Sequence, residues 1–256
     1  MATALRCITI LAAVVLLALI LTPTLHAARP QASAADLTLL NAANRDRAAA
    51  GLQPLHWDEA LAAAAHHHAI LMAQKNTISH QFPGEPPMQD RARNAGARFS
   101  LIAENVAEGP SVTGLHTQWM NSPPHRANLL DPELNTVGIS VVQSGALLFA
   151  VEDFSTVVPS LSLEQQEQEI STQLAAHGLQ LVTTTADARK TCALDRGWAG
   201  ERPTSVVRYE TADLTHLPED IDQRINSGRY HSAAVGACEA TDSHDFARYR
   251  IAILLF

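Results

Sequence analysis

Apolar residues recur at helical spacing from residue 37 onward. Ser33 and Asp36 stand at capping-box spacing ahead of Leu37, Leu40, Ala43 and Ala48, and Gly51 supplies a left-handed stop. This predicts a helix of about sixteen residues. A second helix opens at Asp58, carries Leu61, Ala65, His68 and Met72 on one stripe, and ends at Asn76. Its consecutive histidines, His66, His67 and His68, point about 100° apart and cannot ligate one ion together, so they are expected as helix surface plus one packed imidazole. Pro, Gly and Glu crowd residues 83 to 87, which places His80 on a loop, and a short helix from Met88 to Ala95 stops at Gly96. Val112, Leu115 and Trp119 make a further stripe from Ser111 to Met120. Ser122-Pro123-Pro124-His125 breaks it, so His125 starts a new element. Val137, Ile139 and Val141 then alternate, Ser144-Gly145 is a turn pair, and Leu147 to Phe154 runs as a half-buried strand, which together predict a hairpin. Helices first and antiparallel strands last give an α+β layered fold rather than a chain of parallel βαβ units.

The pattern changes near residue 160. Ser162 and Gln165 cap a polar helix through Ile170, Leu174 and His177 that stops at Gly178, Val206 to Tyr209 reads as a strand, and Pro218 opens a helix through Asn226. Ala233 to Ala237 and Tyr249 to Phe256 read as strands, so residues 160–256 form a small α+β unit of their own. The apolar end, Ile251 to Phe256, is expected at the centre of a sheet, against the first unit, or under a partner. Val235-Gly236 and a strand ending at Phe256 echo Val137-Gly138 and a strand ending at Phe154. Antiparallel hairpins commonly share such features, and the two are read as independent.

Composition narrows the compartment and the partners. Arg6, an apolar stretch from Ile8 to Leu21 and the small-residue end Leu25-His26-Ala27 have the order of a secretory signal peptide over residues 1–27. The apolar stretch is shorter than the roughly 20 residues of a membrane span, so an uncleaved anchor is the weaker reading. A secreted or periplasmic protein is expected. Of the three cysteines, Cys7 leaves with the leader, and Cys192 and Cys238 are expected to pair in an oxidising compartment. A formal net charge of -8 and the absence of Lys or Arg runs exclude nucleic acid as a partner.

An ordered set of residues carries a family likeness: Leu40-Asn41 with Arg45, Leu55-His56-Trp57-Asp58, Ala65 to Ala69 with Met72, Ser79-His80, Glu104-Asn105, Trp119 through Leu130, and Val137-Gly138. This set, within residues 33–157, resembles the bacterial branch of the CAP superfamily, also called SCP/TAPS after cysteine-rich secretory proteins, antigen 5 and pathogenesis-related 1 proteins. The resemblance implies an α-β-α sandwich, export, and a shallow cleft that gathers two His and two acidic side chains. Position by position, His80 matches the first His, Glu104 the Glu of the Glu-Asn pair and His125 the second His. The place of the second Glu is taken by Ser122, and Ala103 and Pro124 replace family glycines.

Two imidazoles and a carboxylate can hold zinc or another divalent cation with a position left for water, which makes His80, Glu104 and His125 the candidate metal ligands. Equally, Glu104 can accept hydrogen bonds from both histidines and order the cleft without an ion. Ser122 and Asn105 are the other cleft candidates. A hydrolase is the alternative function, but no Gly-x-Ser-x-Gly elbow surrounds Ser122, and Glu104 cannot be both ligand and general base. Because family members bind sterols or fatty acids through other surfaces, a lipid- or cell-envelope-binding module is a further alternative. Trp119 is expected in the core, Asn105 and Asn128 on loop backbone, and Arg126 paired or solvated.

Overall fold

The computed structural model describes residues 31–240 and 246–256, so the expected leader and its cleavage after Ala27 lie outside the described residues. No helix among the described residues is long and apolar enough to cross a membrane.

The first unit runs α1 (Ala34–Ala49), β1 (His56–Trp57), α2 (Glu59–Lys75), α3 (Met88–Asn94), β2 (Phe99–Gly109), α4 (Val112–Asn121), α5 (Pro123–Leu129), β3 (Thr136–Ser144) and β4 (Leu147–Val157). Local chemistry sets the ends. Ser33 and Asp36 close the capping box of α1, Asp58 accepts from the amides of Ala60 and Leu61, and Asn76 takes the left-handed conformation that ends α2. The strands form one sheet in the order β1-β3-β4-β2, with β1 parallel to β3 and the rest antiparallel. Helix α2 covers one face, and α1, α4 and α5 pack on the other side, an α-β-α sandwich. Gly138 makes the α2 layer possible, because a Cβ there would overlap the backbone of Leu61 and Ala62.

One edge of this sheet is guarded. Strand β2 lies outermost, and its alternate carbonyls at Glu104, Val106 and Glu108 accept from Asn128 Nδ2 (3.3 Å), Trp119 Nε1 (3.1 Å) and Gln118 Nε2 (3.2 Å). Those donors come from α4 and α5, so the unpaired groups of an edge strand are satisfied by side chains. Trp119 is thus a core residue with a second task.

The second unit runs α6 (Leu163–Ala176), β5 (Gln180–Leu181), α7 (Thr185–Cys192), β6 (Ser205–Thr211), α8 (Glu219–Ile225), β7 (Ser232–Cys238) and β8 (Tyr249–Leu255). Its sheet has the order β5-β7-β8-β6, again with a parallel two-residue strand at one edge and antiparallel neighbours elsewhere. Helix α7 lies on one face and α6 on the other. The apolar end of the chain is therefore central in this sheet. Cys192 and Cys238 form the expected disulfide, joining α7 to β7.

This arrangement corrects the reading of the two Val-Gly hairpins as independent. Both units open on a Ser-capped helix with a capping box, both alternate short parallel strand, covering helix and edge strand in the same order, and both use the glycine of the pair for close approach. A Cβ at Gly236 would overlap Ala188 and Arg189 of α7, as one at Gly138 would overlap α2. The repeat was faint in sequence because only the glycine and the cap are chemically obligatory. The units touch through the tail: the Ala247 amide donates to the Phe99 carbonyl at 2.8 Å, and the Phe246 ring meets Phe99 edge-on, centroids 6.1 Å apart.

Candidate functional site

Strand β2 was not foreseen, because Glu104 and Asn105 interrupt its apolar pattern. Those two residues are nonetheless why the strand matters. Successive side chains of a strand point to opposite faces, so Glu104 and Asn105 serve two sides of the sheet at once.

On the α2 side, Glu104 is nearly fully buried and its carboxylate is held at both oxygens. His80 Nδ1 lies 2.8 Å from Oε1, and the Arg91 guanidinium pairs with Oε2. Arg91, from α3, also donates to the His80 carbonyl at 3.0 Å and reaches Glu85 at 3.5 Å. Glu85 in turn bonds His68 Nδ1 at 2.6 Å, and His68 Nε2 meets the Ser79 carbonyl at 2.6 Å. His68 is the one packed imidazole expected of the triplet. The chain from α2 through Glu85, Arg91 and Glu104 therefore fixes a loop residue, His80, whose side chain is 62% exposed.

Directly opposite Glu104 on β4 stands Asp153, fully buried, with no donor for either oxygen. Burial, and then the charge of Glu104, push its carboxyl well above the usual range. A protonated Asp153 aimed at Glu104 accounts for both facts, since the carboxyl then donates where two carboxylates would repel. The hydrogen bond to Glu104, then its charge, raise the pKa of His80 against an opposing effect of burial. The doubly protonated imidazolium is favoured there.

On the other face, Asn105 donates to the His125 carbonyl at 3.1 Å and accepts from Asn128 Nδ2 at 3.0 Å, and Asn128 also bonds the Glu104 carbonyl, so the two asparagines hold helix and strand backbone rather than the loop backbone expected. His125 sits in the first turns of α5. Its pKa is lowered by burial and then by the charge of His80. Below them Glu152, wholly buried, meets only Asn105 Nδ2 at 3.4 Å, and burial pushes its carboxyl up to about 8.

The expected residues are therefore brought together unequally. His80 and Glu104 are bonded, whereas His125 is tied to β2 through the bond of its carbonyl with Asn105. Among the described residues no group of three His, Cys, Asp or Glu side chains is placed to hold a metal ion. Both oxygens of Glu104 are already engaged, so the three-ligand set expected from sequence does not fit. Two imidazoles remain, with Glu104 behind one of them as a carboxylate orients a ligand histidine. Ser122 is the residue between α4 and α5 and makes no side-chain cap bond; no bond joins it to His125. Asn105 is a supporting residue with its amide turned inward. Arg91, Glu85, Asp153 and Glu152 were missed. The signal for the last two was present: adjacent acids inside the apolar run Leu147 to Phe154.

Residues 40–158 match the model of the cysteine-rich secretory protein family, CAP. The uncharacterized protein YkwD of Bacillus subtilis is 32% identical over 127 residues, 49% of this chain and 49% of that protein. A protein of Borreliella burgdorferi is 31% identical over 87 residues, 34% of this chain and 56% of that one. The chain thus spans about half the length of these curated relatives. Among solved structures, an outer surface protein of Borrelia burgdorferi is 22% identical and matches 48% of this chain and 92% of its own, with a TM-score of 0.45. An extracellular protein containing a SCP domain from Bacillus anthracis is 30% identical over 46% of this chain and 39% of its own, with a TM-score of 0.43.

Proposed function

We propose that the protein, whose residues 40–158 match the CAP family model, is exported and acts outside the cytoplasm as a binding protein, its cleft built on His80, Glu104 and His125. Export is supported by the leader pattern of residues 1–27 and by the Cys192–Cys238 disulfide, which belongs in an oxidising compartment. The observation that carries the binding reading is the engagement of Glu104. A carboxylate held by Arg91 and His80 is committed to placing an imidazole rather than to taking a proton from substrate or coordinating an ion. Among the described residues no hydrogen bond joins Ser122 to His125, so the serine-type hydrolase has no bonded nucleophile–base pair to support it.

The cleft then offers His80 and His125 as nitrogen donors to a divalent cation or to an acidic ligand group. At neutral pH the lowered pKa of His125 leaves it a lone pair, whereas Glu104 favours the protonated form of His80 and sets a proton cost on cation binding. Zinc titration by calorimetry at pH 7.5, on the protein and on a His80→Ala/His125→Ala double variant, tests this. One binding event lost in the double variant is expected, with proton release that grows as pH falls. Equal zinc uptake by both proteins would remove the cation from the cleft.

A further inference from the structure

The repeat of the fold in the second unit exposes what that unit lacks. In the first, the outer carbonyls of edge strand β2 are covered by Gln118, Trp119 and Asn128 of α4 and α5. In the second, the segment between β6 and β7 contains a single helix, α8. Strand β6 occupies the place of β2, and the register aligns Arg208 with Glu104: each faces the residue that pairs with the close-approach glycine, Ala252 with Gly236 and Asp153 with Gly138.

The hydrogen-bond directions of β6 follow from its neighbour. The Phe256 amide donates to Ser232 of the β7 side, whereas the Leu255 carbonyl accepts from Thr204 of the β6 side. Residues alternate from there, so Ser205, Val207, Tyr209 and Thr211 bond to β8, and Val206, Arg208 and Glu210 present their amides and carbonyls outward. Among the described residues no side chain or backbone group bonds to those outward groups. An edge strand whose outward groups are bonded by none of the described residues is a template for another strand.

The side chains choose the occupant. Arg208 donates to the Thr191 and Gly197 carbonyls and feels the charge of Asp195, and the exposed Glu210 stands opposite Arg250 on β8; among the described residues neither Arg208 nor Glu210 closes an ion pair, so each retains charge to offer a partner. Trp198, 43% exposed, and Leu194, 41% exposed, lie on the loop that Arg208 grips, so apolar surface borders the edge. Two copies of β6 pair antiparallel about a two-fold axis only in registers where outward residues meet outward residues. Centring on Arg208 opposes two arginines, and centring on Glu210 opposes two glutamates. Centring on Tyr209 places Arg208 of each copy opposite Glu210 of the other, forming complementary cross-strand pairs.

We propose that a second copy of this chain is the partner of β6, joined edge to edge with Tyr209 on the two-fold axis, so that two sheets of the second unit become one continuous sheet. The assembly carries two clefts, which raises the avidity of the proposed binding protein for a surface that repeats its ligand.

Sedimentation of the purified protein over a range of concentrations, with cysteine cross-linking under mild oxidation, tests both the pairing and its register. Dimer is expected to accumulate with concentration. Glu210→Lys, a change at an exposed side chain, should raise the dimer dissociation constant about tenfold or more by replacing two attractions with two repulsions. Tyr209→Cys should cross-link to itself, because residues facing each other on the axis lie about 4.5 Å apart at Cα, within disulfide reach. Glu210→Cys should not. Circular dichroism confirms that each variant is folded. A protein that stays monomeric at every concentration overturns the proposal. So does a dimer that is indifferent to Glu210→Lys and cross-links through residue 210 instead of 209.

Discussion

Replacing Glu152 by Gln is the most direct test of the buried carboxyl reasoning. Glu152 is fully buried on β4, its Oε2 meets only Asn105 Nδ2 at 3.4 Å, and its Oε1 has no partner. Burial moves the carboxyl from 4.5 to about 8. The folded state therefore holds a proton that the unfolded chain releases between those two values, and stability falls as pH rises through that window. Each pH unit costs about 1.4 kcal/mol. Between pH 5 and pH 7.5 the loss from this group amounts to about 3 kcal/mol. Glutamine keeps the acceptor for Asn105, matches the neutral acid in shape and does not titrate. Asp153 is present in both proteins and cancels in the comparison. Urea unfolding at pH 5, 6, 7 and 8 should show the variant and the parent nearly equal in acid, with the variant ahead by about 3 kcal/mol near pH 7.5. A difference that stays constant across this range would refute the assignment of a proton to Glu152.

Three further outcomes follow from the same structure. Arg47 is 1% exposed and donates to the carbonyls of Gln53, Leu129, Asp131 and Leu134, so Arg47→Met should cost about 3 to 5 kcal/mol in urea unfolding by stranding those acceptors. Gly138→Ala and Gly236→Ala should each destabilise by about 2 kcal/mol or more, because backbone rather than a flexible side chain occupies the space, and hydrogen exchange should show the first loosening α2 and the second α7. In a proton NMR titration His80 should have its midpoint above the ordinary histidine value and His125 below it, and Glu104→Gln should lower that of His80. The stabilising effect of the His80–Glu104 contact should be complete in acid and disappear as pH rises through the raised folded value.

The local signals were legible because they act over a few residues. Capping boxes at Ser33 and Ser162, the Asp58 cap, glycine stops, and the break at Ser122-Pro123-Pro124 are decided by hydrogen bonds and sterics within one turn, and each stands where its residues placed it. The fold of the first unit and the nearness of His80 to Glu104 were legible only through the family resemblance, because the residues concerned are far apart along the chain. The reading of Glu104 as a hydrogen-bond acceptor for His80 was among those the sequence offered; that its other oxygen meets Arg91 and not His125 was not legible, because Arg91 lies thirteen residues earlier on another element.

The sequence by itself determined which segments become helices and hairpins, that two cysteines are available to bridge, and that two imidazoles and an acid belong to the first unit. Tertiary structure alone decided that Arg91 shares the acid with one imidazole, that burial raises the pKa of Glu152 and Asp153, and that the second unit retraces the first. Periodicity and caps are properties of neighbours along the chain, whereas a proton's affinity and a carboxylate's partner are properties of whatever the fold brings within hydrogen-bonding distance after water has been excluded.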